Sequence, residues 1–241
     1  MSDPGSTGWT GFFTRPFSDA FHGLDRCLDG GGRALVWVAL GLALGWWIYV
    51  PFHELLHALA CVATGGSVSE LQISPLYGGS LLEGLVPWVV SGGEYAGRLS
   101  GFDTHGSDAI YLATDFGPYL LTLFPGVWWL RRAGATSKPL LFGASLPVAL
   151  APFASLPGDA YEIGSILVTH AGPWSSAAAR ALLRGDDVGL RFEALRAASS
   201  GAGPWIGFAL AFLAGALWAW CTYAAGGWIS RRLGAPPLAH R

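Results

Sequence analysis

The chain has 241 residues, of which 12% are charged against about 25% in ordinary soluble domains, while 52% are hydrophobic and 12 are Trp. A formal net charge of −2 gives no footing for a nucleic-acid partner, and a mean hydropathy of +0.43 with recurrent uncharged runs predicts one membrane-embedded domain rather than a soluble one. Cys27, Cys61 and Cys221 are too few and too far apart for a disulfide framework or a cysteine zinc site.

Residues 1–33 read as an N-terminal tail without the apolar core of a secretory signal peptide. Trp9, Phe12, Phe13, Phe17 and Phe21 alternate there with Arg15, Asp19 and Arg26, which suits either a flexible tail or a short segment at the lipid–water interface. The first membrane helix is then expected to stay attached and serve as its own insertion signal. About 20 apolar residues span a bilayer, and residues 34–230 contain four runs of that order. The first, 34–64, holds Pro51 and ends at Gly65-Gly66. The second, 109–130, is closed by Arg131-Arg132. The third, 139–169, is interrupted by Pro147, Pro152 and Pro157-Gly158. The fourth, 205–230, stops at Arg231-Arg232, where a C-terminal tail (231–241) begins.

Between the first two runs, residues 67–73 alternate loosely through Val68, Leu71 and Ile73. Gly78-Gly79 punctuate the segment, and residues 81–90 resume with β-branched and aromatic side chains, a pattern for a β-hairpin or small sheet. Residues 164–195 become rich in Ala and Arg, with Arg180, Arg184 and Arg191, and read as an interfacial or solvent-exposed helix. The expected fold class is therefore an α-helical multi-pass membrane protein, with about four transmembrane helices and a small β element after the first. Lys/Arg bias concerns Arg131, Arg132 and Lys138 in one loop and Arg231, Arg232 and Arg241 at the C-terminus. The segment after the first run carries Arg98 against Glu70, Glu83, Glu94 and Asp103. With an even number of spans this puts both termini in the cytoplasm, against which the four Arg of residues 170–204 weigh; the plasma membrane is the expected location.

Residues 53–57 read His-Glu-Leu-Leu-His inside the first run. His53 and His57, four apart, share one helical face and can reach a single Zn²⁺, with Glu54 beside them to take a proton from water. The competing account makes all three buried polar residues that pair with other helices, but ionisable groups at membrane depth are costly and usually mark function. Zinc needs a third protein ligand. Asp159 and Glu162 follow the proline break in the third run, Asp115 lies in the second, and His105 and His170 sit nearer loops. Asp159 is preferred, because a broken helix frees a carboxylate at the next helix's N-terminus; the plainer alternative is that it only caps that helix. Asp115 remains open, one role being acceptor for a ligating histidine's other nitrogen.

Three segments resemble the site-2 protease family of intramembrane zinc metalloproteases. His53–His57 followed by Gly65-Gly66 and the strand-like residues 67–73 is similar to the family's first core helix and adjoining sheet. Asp115-Phe116-Gly117-Pro118 is similar to its middle helix, and the run from Pro152 through Pro157-Gly158 to Asp159 is similar to its proline-rich approach to a metal-binding Asp. Leu56, Leu121 and Ala160 stand where the family often has Gly, Asn and Gly. The resemblance implies that His53, His57 and Asp159 hold Zn²⁺ in a metalloprotease domain spanning residues 34–230. It implies a membrane-anchored protein substrate, with Glu54 activating the attacking water and returning the proton to the departing amine. Residues 67–90 would hold the unwound substrate by strand addition.

Two other readings are carried forward. One is a membrane zinc peptidase resembling the CAAX-processing proteases, with Glu162 as third ligand. The other is a non-enzymatic metal-binding membrane protein or transporter, for which several intramembrane acidic or histidine positions over more spans, and internal repeats, would be expected.

Overall fold

The computed structural model describes residues 9–198, 201–235 and 237–238. The protein is mostly helical, with one small sheet. In chain order come α1 (Trp9–Leu28), α2 (Gly32–Ala63), β1 (Ser67–Ile73), α3 (Gly79–Glu83), β2 (Val89–Ser91) and β3 (Gly97–Asp103). There follow α4 (Asp108–Phe116), α5 (Val127–Ala135), α6 (Pro139–Ala149), α7 (Ala151–Ala154), α8 (Asp159–His170), α9 (Ala177–Leu183), α10 (Val188–Ala197) and α11 (Ala202–Arg232). The chain divides into two compact units, one of residues 1–46, 119–152 and 219–241, the other of residues 47–118 and 153–218.

Two helices, α2 and α11, are long and apolar enough to cross a membrane. The second and third apolar runs are not continuous helices. Pro118 stands just after α4, and Phe124 before Pro125 leaves helical geometry (φ −160, ψ 131), so α4 and α5 are separate. Pro157-Gly158 likewise divide α7 from α8, and Pro152 stands in the first turn of α7, just after α6 ends at Ala149. Proline has no N–H to donate and clashes with the carbonyl one turn back, so uninterrupted apolar composition does not give an uninterrupted helix.

In the first unit α1 is a docked helix rather than a loose tail. Its Asp19 is buried against Arg131 of α5, whose Nε and Nη2 each lie 2.8 Å from Asp19 Oδ2. Tyr223 donates to the same oxygen at 2.9 Å, the backbone N–H of Leu238 donates to Oδ1 at 3.2 Å, and Arg131 Nη1 donates to the carbonyl of Gly227 at 2.8 Å. Arg131 is fully buried, so it does not contribute to a basic loop, which leaves Arg132 and Lys138 there. Of the basic C-terminal residues, Arg231 and Arg232 close α11 and Arg241 lies outside the described residues, as do residues 1–8 of the N-terminal tail. Helix α2 meets α6 where Gly41 and Gly45 present bare backbone: a Cβ on Gly41 would stand 2.1 Å from the carbonyl oxygen of Leu140. Small residues four apart are the usual means of close helix approach in lipid.

The second unit holds the sheet, in the order β2-β1-β3, with β1–β2 parallel and β1–β3 antiparallel. It is a three-stranded sheet rather than a hairpin. Strand β1 lies where alternation predicted it, with Leu71 and Ile73 fully buried on one face against Ala58 of α2 and Val89 of β2. Removing each of these side chains from water is worth about 2 kcal/mol, and together they seat the sheet on the turn of α2 that carries His57. Residues 81–90 are not one strand, because the left-handed Gly78 (φ 83) turns the chain into α3 and only Val89–Ser91 pair. The Ala/Arg-rich region forms two helices, α9 and α10, divided where Gly185 has φ 149 and Asp187 caps Leu190 N–H at 3.0 Å.

Arg184, at the end of α9, grips Asp108 with two guanidinium bonds of 2.6 and 3.1 Å and also donates to Thr169 Oγ1 at 2.6 Å. With His170 adding a 2.8 Å contact, the cluster joins the start of α4 to the end of α8. The Arg184 bonds hold the Asp108 carboxyl down to about 2, below its ordinary 3.8.

Two predictions follow from these charge clusters. Arg131→Met strands the Asp19 carboxylate and is expected to cost about 3–5 kcal/mol, with much of the loss recovered in Asp19→Leu/Arg131→Met; unfolding midpoints of the three proteins measure it, and a single variant as stable as wild type would contradict it. Because Asp108 has its folded pKa depressed, its contribution is present above pH 4 and lost as pH falls from about 4 to about 2, of order 1 kcal/mol after solvent screening. Thermal midpoints of wild type and Asp108→Asn should therefore differ at pH 6 and converge towards pH 2.

Candidate metal centre

Every residue of the candidate site belongs to the second unit. On α2, His53 and His57 are one helical turn apart and their rings meet edge to face, with centroids 4.7 Å apart. Asp159, the first residue of α8, reaches both. The three ligand atoms form a triangle: His53 Nε2 to His57 Nε2 is 3.1 Å, His53 Nε2 to Asp159 Oδ2 is 3.1 Å, and His57 Nε2 to Asp159 Oδ2 is 3.7 Å. A tetrahedral zinc with bonds of about 2.0–2.1 Å needs ligand atoms about 3.3–3.4 Å apart. The triangle has the size of one face of that tetrahedron, and the donor set of two imidazoles and a carboxylate suits the same ion.

The outer nitrogens are also engaged. His57 Nδ1 lies 2.8 Å from the carbonyl oxygen of Thr114, and a carbonyl only accepts. Nδ1 therefore carries the proton, and Nε2 presents its lone pair to the triangle. This carbonyl is available for a reason written in the sequence. Its donor four residues on would be residue 118, which is proline and has no N–H; it accepts instead from the N–H of Gly117 and keeps a second lone pair for the histidine. Gly117 brings α4 this close: a Cβ there would stand 2.4 Å from the carbonyl oxygen of Leu56. Gly117-Pro118 thus acts through packing and backbone chemistry. His53 Nδ1 meets the hydroxyl of Tyr49 at 2.7 Å, one turn back on the same helix.

Asp159 is not a helix cap. The N-cap position of α8 is Gly158, no side chain caps the helix, and the Asp159 carboxylate turns to the histidines. Glu162, one turn further on, receives a short hydrogen bond from the Tyr111 hydroxyl and is not one of the three convergent groups. Asp115 is buried and is not the acceptor for a ligating histidine, the Thr114 carbonyl holding that place. His105 pairs with Asp103 and His170 with Asp108, each largely exposed.

A cavity of about 460 Å³ opens on this centre. Glu54 and His57 of α2, Asp159 and Glu162 of α8, and Tyr111, Thr114 and Asp115 of α4 line it, with β3 and the α9–α10 connection opposite. Glu54 lies against Gly97 of β3, where a Cβ would be 2.2 Å from Glu54 Cγ, so only glycine leaves the carboxylate its present position. The strand along the cavity is β3, an edge of the sheet; β1 is the central strand and has partners on both sides. Residues 67–73 therefore cannot take up a further strand.

Tyr49, Tyr111, the Thr114 carbonyl and Gly97 were not singled out from the sequence. Tyr49 carries a retrievable signal, since it precedes His53 by four and must share its face. No protein-family model, curated protein or solved structure matches this chain.

Loss of an outer hydrogen bond to a metal-binding histidine commonly weakens metal affinity 10–100-fold. If zinc occupies the triangle, Tyr49→Phe is expected to weaken its binding by about 10-fold with folding unchanged, measured by competition with a chromophoric chelator. Unaltered affinity would detach Tyr49 from the centre.

Proposed function

We propose that this protein is an intramembrane zinc metalloprotease of the site-2 type, cutting peptide bonds of membrane-anchored protein substrates. The observation that carries the proposal is the tetrahedral-sized triangle of His53, His57 and Asp159 with Glu54 on the wall of the same cavity. Zinc bound by these three residues would supply Lewis acidity and a water of lowered pKa. Thr114 and Tyr49 orient the two imidazoles. Glu54 accepts a proton from the attacking water and passes it to the departing amine. The backbone of β3 offers an extended substrate a strand to pair with beside the cavity.

Membrane embedding is supported by α2 and α11, in which only 28% of the most apolar window is buried; the core helix of a soluble protein would be mostly buried. Trp47, Phe52, Leu59 and Val62 on α2, and Leu210, Leu213 and Leu217 on α11, are exposed apolar side chains suited to lipid. The broken runs 109–130 and 139–169 complete four passes in this proposal, with residues 34–230 as the catalytic domain. Polar groups freed by the breaks find partners inside the protein: the carbonyl of Val148, whose donor four residues on would be Pro152, accepts from the Thr122 hydroxyl at 2.8 Å. Asp159 rather than Glu162 is favoured as third ligand by its contacts with both histidines, while Glu162 is held by Tyr111.

Glu54→Gln is expected to retain about one zinc per chain and lose at least about 100-fold in cleavage of a membrane-anchored reporter. Asp159→Ala should lose the metal, and Glu162→Ala should keep it. Cleavage preserved in Glu54→Gln removes Glu54 as the base, and zinc retained in Asp159→Ala removes that ligand.

A further inference from the structure

The cavity beside the histidines contains more carboxylate than a zinc centre uses. Asp159 is committed to His53 and His57, Asp186 pairs with Arg98 at 3.6 Å, and Glu162 accepts from Tyr111. Asp115 differs from all of these. It is 4% exposed and lies on the cavity wall, and its Oδ2 is buried without a hydrogen-bond partner. An unsatisfied carboxylate oxygen inside a protein costs free energy that a cation within reach recovers.

The cations already in the cavity wall do not serve it. Arg98 faces Asp186. Arg191 donates through Nη1 to the carbonyls of Ala181 and Arg184, and its Nε lies over Gly185, 3.2 Å from where a Cβ would be. Asp115 and Glu162 stand on α4 and α8, which pack against each other, and both line the same space. The candidate metal centre does not draw on Asp115 either, because the Thr114 carbonyl accepts the hydrogen bond from His57 Nδ1.

Building on the proteolytic function proposed above, we infer that Asp115 and Glu162 form a subsite for a cationic group of the substrate, an alkylammonium or a guanidinium. The group comes from a Lys or Arg side chain near the scissile bond or from a free amino terminus. Two carboxylates on adjoining helices that line one cavity prefer an amine over its neutral isostere through charge-assisted hydrogen bonds.

Equilibrium binding to the full-length, zinc-loaded Glu54→Gln protein in detergent needs no turnover. The probes are N-acetyl-lysine amide, norleucine amide with its free α-amine, and N-acetyl-norleucine amide as neutral control. At least one cationic probe is expected to bind about 10-fold tighter than the control, the first identifying a side chain and the second an amino terminus as the source. Asp115→Asn should abolish the preference and Glu162→Gln should reduce it, with binding of the control unchanged. Equal binding of the three probes to the parent protein overturns the inference, whatever the folding of the variants. So does a preference that survives Asp115→Asn, which would mark an amine touching zinc instead. The preference in Glu54→Gln together with a wild-type protein that cleaves no reporter would sink the proteolytic reading and leave the subsite standing.

Discussion

An imidazole can present a lone pair at Nε2 only when Nδ1 holds the proton, and His57 meets that condition through the backbone carbonyl of Thr114. Much of the candidate centre depends on this one bond. It requires α4 to lie against α2, which Gly117 permits by bringing bare backbone against Leu56. It requires a carbonyl without its regular helical donor, which Pro118 provides. The same approach of α4 carries Asp115 and Tyr111 to the cavity wall, where Tyr111 holds Glu162. A packing residue and a helix breaker, neither chemically reactive, thereby set the orientation of a candidate ligand.

Proline acts in a similar way on the other side of the centre. The third apolar run would bury every backbone group if it continued as a helix. Interrupted at Pro152 and Pro157-Gly158, it restarts at Asp159, whose carboxylate is left free of capping and turned to the histidines. The cost of each break is met locally: Ala160 N–H finds the carbonyl of Ser155 at 3.2 Å, and the carbonyl of Pro157 accepts from Val188 at 3.0 Å.

What was legible in the sequence rests on local period or spacing. The long apolar helices, strand β1 through Leu71 and Ile73, and the histidines four apart follow from one face of one element. Asp159 was reachable because a break in an apolar run exposes the residue after it. Strand β3 was missed because Gly97, Ser100 and Gly101 dilute its alternation, and residues 81–90 were overread because β-branched and aromatic content says nothing of the left-handed turn at Gly78. The Asp19–Arg131 pair joins residues 112 apart, and no local pattern announces it. The Thr114 carbonyl is backbone and carries no side-chain signal at all; only the proline four residues later points to it.

The buried Asp19 also has a consequence in the order of synthesis. Its donors are made successively, Arg131 well after it and Tyr223 and Leu238 later still. Until the last of these leaves the ribosome, the carboxylate near the beginning lacks its full set of donors, and the guanidinium of Arg131 waits 96 residues for the carbonyl of Gly227. Helix α1 is therefore locked only after most of the chain that follows it has been made, and the first unit closes only when its third segment arrives.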